Sequence, residues 1–144
     1  MRILVDGDAC PVKDIIISIA KSYNLNVHMY FDTAHVYDDN YSTVHILGKG
    51  ADKVDFALLS DVMHNDIVIT GDYGLASLAL TKKAHVIHPN GLIYTEDNIL
   101  TLLNKRSSHR KLRKHVRIKG PSKRQKEDDQ AFQKSLLTVI NRYK

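Results

Sequence analysis

A single cysteine, Cys10, occurs in the 144 residues, which excludes an internal disulfide and any zinc site built on several thiolates. No apolar run approaches the roughly 20 residues that a membrane-spanning helix needs. The start lacks the basic-then-apolar pattern of a secretory leader, because Asp6 interrupts the first apolar stretch. A cytoplasmic location with no membrane partner is therefore expected. No Phe, Tyr or Trp lies between residues 95 and 131, so that stretch offers nothing on which a nucleobase could stack. The eight histidines are scattered. His85 and His88 flank a strand at a spacing that sends them to opposite faces, so surface or half-buried roles are expected for all of them.

What remains is an ordinary soluble composition, with 43% apolar and 26% charged residues, and a length that suits one domain. The charge is unevenly spread. Residues 1–104 carry 7 Lys/Arg against 13 Asp/Glu, whereas residues 105–126 carry 11 basic residues and no acid. An acidic body with one basic segment points to a polyanionic partner. Within that segment His109, Arg110, Arg113, Lys114 and Arg117 fall near helical spacing, over Leu112 and Val116. Contacts of this kind track a phosphate backbone without reading its sequence, although such charge runs are often simply solvated.

Apolar patterning predicts strands at 2–5, 25–31, 43–47, 66–70 and 84–88. Helices are predicted from Pro11 onward, over 51–63, over 71–83, from a Thr95 cap to Leu103, and over about 127–142. "PNG" (89–91) reads as a turn, and the basic segment breaks at Gly120-Pro121. Alternating strands and helices imply a mostly parallel sheet covered on both faces. Residues 1–104 read as the core, and 105–144 as a basic helical extension of the same domain.

Asp6 and Asp8 leave the end of the first strand, and Asp72 leaves the end of "IVIT". In a parallel sheet both loops fall at the carboxyl edge, where ligands bind. Asp52 and Asp55, three apart, share one side of a helix. Singly, each has a structural explanation: Asp72 as a helix cap, Asp52 at a helix start, Asp8 in a turn, Asp55 in solvent. Together they would need a compensating cation. Carboxylates without a His or Cys cluster favour Mg²⁺ or Mn²⁺.

The stretches "VDGDACPVKD", "GADKVDFALLSDV", "IVITGDYGLASLAL" and "HPNG", with "GP" before the closing helix, resemble the bacterial YaiI/YqxD family. The core is similar to the PIN-like superfamily of metal-dependent nucleases, and "KGAD" (49–52) and "TGD" (70–72) resemble motifs of its NYN branch. That resemblance implies a PIN-like three-layer sandwich, with Asp6, Asp52 and Asp72 as the catalytic acids. It departs at Gly74, where NYN proteins often carry a second carboxylate; Asp8 or Asp55 would have to supply those oxygens.

Metal ligands are thus expected at Asp6, Asp8, Asp52 and Asp72, with Asp55 auxiliary. Thr70 would orient Asp72 or end a strand, and Lys13 would reach a phosphate or pair with a carboxylate. Cys10 would be a small packed residue lining the site, its thiol pKa lowered by the helix start after it. The resulting expectation is a divalent-metal-dependent nuclease acting on RNA ahead of DNA, with Arg110, Arg113, Lys114 and Arg117 holding the backbone. One alternative is an RNA-binding module, weakly active or inactive, with a metal in its acidic site. Another is a haloacid-dehalogenase-like phosphotransferase using Asp6 as nucleophile and Asp8 as acid/base. That scheme expects Thr or Val at Cys10, and a late acidic pair after a strand rather than Asp128-Asp129 at the head of a helix.

Overall fold

One six-stranded sheet organises the chain, with its elements in the order β1 (Ile3–Asp6), α1 (Lys13–Tyr23), β2 (Val27–Phe31), β3 (Thr43–Ile46), α2 (Ala51–Asp61), β4 (Ile67–Ile69), α3 (Tyr73–Thr81), β5 (His85–Ile87), β6 (Ile93–Tyr94), α4 (Glu96–His115) and α5 (Lys126–Tyr143). The computed structural model describes residues 1–32, 37–115 and 123–144, with backbone alone at Ala51 and residues 106–115. Strand order is β3-β2-β1-β4-β5-β6. Every pairing is parallel except β5 with β6.

Strand periodicity of two divides the apolar residues between two cores. Ile3 and Val5 of β1, with Val27, Met29, Phe31, Ile67 and Ile69, pack against α1 and α5. Leu4, Tyr30, Val68 and Val86 face the other way, onto α2, α3 and α4. The sheet therefore carries helices on both faces, and its central strands are buried except for Asp6, the last residue of β1, which is partly exposed. In α5, Phe132, Leu136, Val139 and Ile140 enter the first core as the helical spacing predicts. Tyr143, from the same face, stays 42% exposed and stacks on His85 at 4.1 Å.

The sheet is mostly parallel, as the patterning implies; its one antiparallel pairing comes from β6, a strand the patterning does not predict, which the "HPNG" turn folds back onto β5, and two residues are too few to show a period. One expectation needs correction. The helix after Thr95 does not stop at Leu103 but continues to His115, taking in the first half of the basic segment. Its start is as read: Thr95 Oγ1 accepts the Asn98 N–H at 3.1 Å, and Asn98 Oδ1 accepts the Thr95 N–H at 2.9 Å. Lys and Arg are good helix formers, and no stop signal intervenes before Gly120. The Gly120-Pro121 break and Arg117 lie outside the described residues, as do the side chains of Arg110, Arg113 and Lys114. No described helix is long and apolar enough to cross a membrane.

From β1 the chain builds outward through β2 to β3, then returns to lay β4 on the other side of β1. Loops leaving β1 and β4 therefore diverge, opening a crevice at their carboxyl ends.

Candidate active site

Residues that line the crevice stand at or just beyond the ends of the two strands that flank it. Asp6 is the last residue of β1, and Gly7 continues the ladder by donating its N–H to Tyr30 O at 2.9 Å. The ring of Phe31 packs so closely that a Cβ on Gly7 would sit 2.6 Å from Cε1; only glycine fits between the two aspartates. Asp8 then turns back toward β2, where its Oδ2 accepts the Asp32 N–H at 3.0 Å. The turn closes as Cys10 donates its N–H to Gly7 O.

On the other side, Thr70 follows β4 and is 1% exposed. Its hydroxyl donates to Asp6 Oδ2 at 3.0 Å and accepts the Asp72 N–H at 3.0 Å. One buried hydroxyl thus ties the carboxylate of the first loop to the backbone of the second. Asp72 is the N-cap of α3, its Oδ1 accepting the Leu75 N–H at 3.0 Å. The structural and functional readings of Asp72 are compatible, because capping engages one oxygen.

Asp6, Asp8, Asp55 and Asp72 line one cavity of about 570 Å³, together with Cys10, Gly71, His88 and Arg124. Asp52 is exposed in the first turn of α2 and lies outside this cavity. It lines an adjoining groove that shares Asp55 and Asp72 and includes the exposed Phe56. Both aspartates stand on one side of α2, as their spacing requires. The inner one is Asp55, which follows the buried Val54.

The charges feel one another. Burial pushes the Asp6 carboxyl up, opposed by the Thr70 hydrogen bond and reinforced by Asp72 and Asp8. Asp55 is pushed up to about 6 by burial, then by Asp6, Asp72 and Asp52. Among the described residues no three His, Cys, Asp or Glu side chains form a preassembled metal cage. The donor set is nonetheless hard oxygen under mutual repulsion, which fits Mg²⁺ or Mn²⁺ and disfavours a soft ion.

Cys10 is buried against the cavity, and burial raises its thiol pKa instead of lowering it. Desolvation of the thiolate outweighs the Val12 backbone hydrogen bond and the Lys13 charge, which both act the other way. Lys13 does not line the cavity. Its Nζ donates to Cys10 O at 2.8 Å and sits 5.7 Å from the Phe31 ring centre, so it braces the loop from behind.

The residues missed in the sequence are His88 and Arg124, which bring nitrogen donors to an otherwise acidic lining. "HPNG" was the available signal for the first, since a turn ending a parallel strand sits at the ligand edge. For Arg124, lost in a run of basic residues, the sequence carried no signal.

Residues 4–142 match the family model described as "Uncharacterized BCR, YaiI/YqxD family". A "UPF0178 protein" of Ruminiclostridium cellulolyticum is 49% identical over 141 residues, covering 97% of this chain and 92% of its own. Proteins of the same name from Alkaliphilus oremlandii and Lachnoclostridium phytofermentans are 46% and 45% identical, the first over 98% of this chain and 92% of its own, the second over 97% of both. No solved structure matches.

Proposed function

The chain belongs to the YaiI/YqxD family, and from the geometry of its own cavity we propose that it is a divalent-metal-dependent phosphodiesterase acting on RNA. The observation that carries this reading is the convergence of Asp6, Asp8, Asp55 and Asp72 on one cavity at the switch point of the sheet. Stability alone gives no reason to press four carboxylates together until one titrates near 6. A PIN-like fold is the finer structural reading. Its support is an acid at the end of β1, acids early on α2 and an acid after β4.

Asp6, Asp8, Asp55 and Asp72 would hold the cation, with Asp52 extending the acidic surface beside them. A divalent ion there supplies charge neutralisation at the phosphoryl group and an activated water. The protein's own contribution is orientation. Thr70 fixes the Asp6 carboxylate and the Asp72 backbone together, so the two strand-end loops act as one unit. Asp55, with its raised proton affinity, holds its proton to a higher pH than an ordinary carboxyl, so a cation entering below about pH 6 would have to displace that proton. Cys10 keeps its proton and fills space. The basic segment beyond Asn104 would hold the RNA backbone through phosphate contacts.

Cleavage of labelled single-stranded RNA with Mn²⁺, Mg²⁺ or EDTA tests this reading. Metal-dependent cleavage is expected, falling at least about 100-fold in Asp72→Asn or Asp6→Asn. Equal cleavage by wild type and variants would overturn the assignment. Salt-sensitive RNA binding without cleavage by the wild type would instead favour the binding module.

A further inference from the structure

The nitrogen donors of the cavity are held by a construction of their own. At the end of β5, His88-Pro89-Asn90-Gly91 forms a turn in which Gly91 donates its N–H to His88 O at 2.8 Å. Proline second and glycine fourth suit a type I turn. The Asn90 N–H donates to His88 Nδ1 at 2.9 Å. A backbone donor on Nδ1 makes that nitrogen the acceptor, so the neutral ring carries its proton on Nε2. Burial, then the Arg124 charge, holds the imidazole below its ordinary range and keeps it neutral.

Nε2 makes no hydrogen bond among the described residues. It lies 3.5 Å from where a Cβ on Gly71 would stand, on the loop that carries Asp72. The same turn docks α5: a Cβ on Gly91 would fall 2.7 Å from the Ala131 carbonyl carbon, and Ser135 Oγ donates to Gly91 O at 2.5 Å. Docking α5 there brings Arg124, two residues before the helix, to the cavity. Its Nε and Nη2 donate to Asp129 Oδ1 at 2.9 and 2.6 Å, and Nη2 donates to Pro89 O at 2.8 Å. These bonds fix the fork while Nη1 makes none among the described residues. A neutral N–H donor and one edge of a guanidinium, both held from behind, thus border a cavity whose other charged groups are the four carboxylates.

We propose that His88 Nε2–H and Arg124 Nη1 form an anion subsite that receives a phosphoryl oxygen of the substrate. The proposal rests on the phosphodiesterase reading for the identity of the substrate, and makes the substrate class a phosphate ester seated between these donors and the cation-binding carboxylates. Arg124 supplies charge-assisted hydrogen bonding. His88 supplies a donor that adds no positive charge to compete for the carboxylates.

The test uses inorganic phosphate as the probe, titrated into the full chain with and without Mg²⁺. Two-bond nitrogen–proton spectra of histidine-labelled protein report the His88 tautomer and the response of Nε2–H. The expected result is an Nε2–H tautomer in the free protein and a saturable shift of that proton with phosphate. Affinity should fall about tenfold or more in His88→Leu and in Arg124→Gln. It should be largely restored in His88→Gln, whose amide places an N–H near the Nε2 position. An Nδ1–H tautomer, absence of phosphate binding, or wild-type affinity in both loss variants would overturn the subsite. Mg²⁺ binding, followed separately by calorimetry, reports on the underlying reading. Its absence fails the metal site while the phosphate titration still decides the subsite. Its retention with unchanged phosphate affinity in the variants fails the subsite alone.

Discussion

Asp55→Asn should make the protein more stable at neutral pH while weakening the proposed cation site. The carboxyl is pushed from the ordinary 3.8 to about 6, by burial first and then by Asp6, Asp72 and Asp52. A rise of about two units corresponds to roughly 3 kcal/mol for a fully desolvated group, at about 1.4 kcal/mol per unit. Asp55 is only half-buried, and solvent screening reduces this to about 1 kcal/mol. Because the folded-state pKa lies above the unfolded one, the folded chain binds the extra proton. The penalty is thus absent below about pH 4, grows as pH rises, and is complete above about pH 6. In EDTA at pH 7.5, Asp55→Asn should gain about 1 kcal/mol in urea denaturation, or about 3 °C in Tm. The gain should vanish at pH 4. Millimolar Mn²⁺ should raise the Tm of the wild type more than that of the variant, because a bound cation stabilises the folded state by mass action. A variant that is equally or less stable at pH 7.5 in EDTA would refute the claim that burial and the neighbouring carboxylates together penalise the charge on Asp55.

Two further substitutions probe the scaffold around the site. Thr70→Val keeps shape but removes the hydroxyl bonded to Asp6 Oδ2 and the Asp72 N–H. A loss of about 2 kcal/mol is expected, with a fall, well below Tm, in the RNA cleavage proposed for the site; a change under about 0.5 kcal/mol would show that the bridge contributes little. Gly91→Ala must place a side chain at φ +99° against the Ala131 backbone. It should cost about 3 kcal/mol from strain and overpacking combined and speed amide exchange along α5; unchanged protection there would mean that the turn does not dock the helix.

Much of the site was legible because strand ends are. Runs such as "RILV" and "IVIT" are apolar on both sides and stop at a polar residue, and a parallel sheet places those stops on one edge whatever the packing details. Asp6 and Asp72 followed from that rule, and the Thr95 cap from local chemistry. The choice between Asp52 and Asp55 was not legible in this way. Residues three apart share a helix face, and which enters the cavity depends on how Val54 and Leu58 seat α2 on the sheet. Nor did the helix dipole predict the Cys10 thiol, since burial by residues distant in sequence outweighs it.

The sequence by itself determined the strand–helix alternation, the two-sided core and the carboxylates at the strand ends, because each depends on periodicity or on neighbours within a few residues. Only the tertiary structure decided that a buried Thr70 joins Asp6 to Asp72, and that Asp55 faces inward. It alone brought His88 and Arg124, 36 positions apart in the chain, to one cavity. Those arrangements are set by the register of β1 against β4 and by the docking of α5 on the Gly91 turn, and contacts of such long sequence separation leave no local pattern to read.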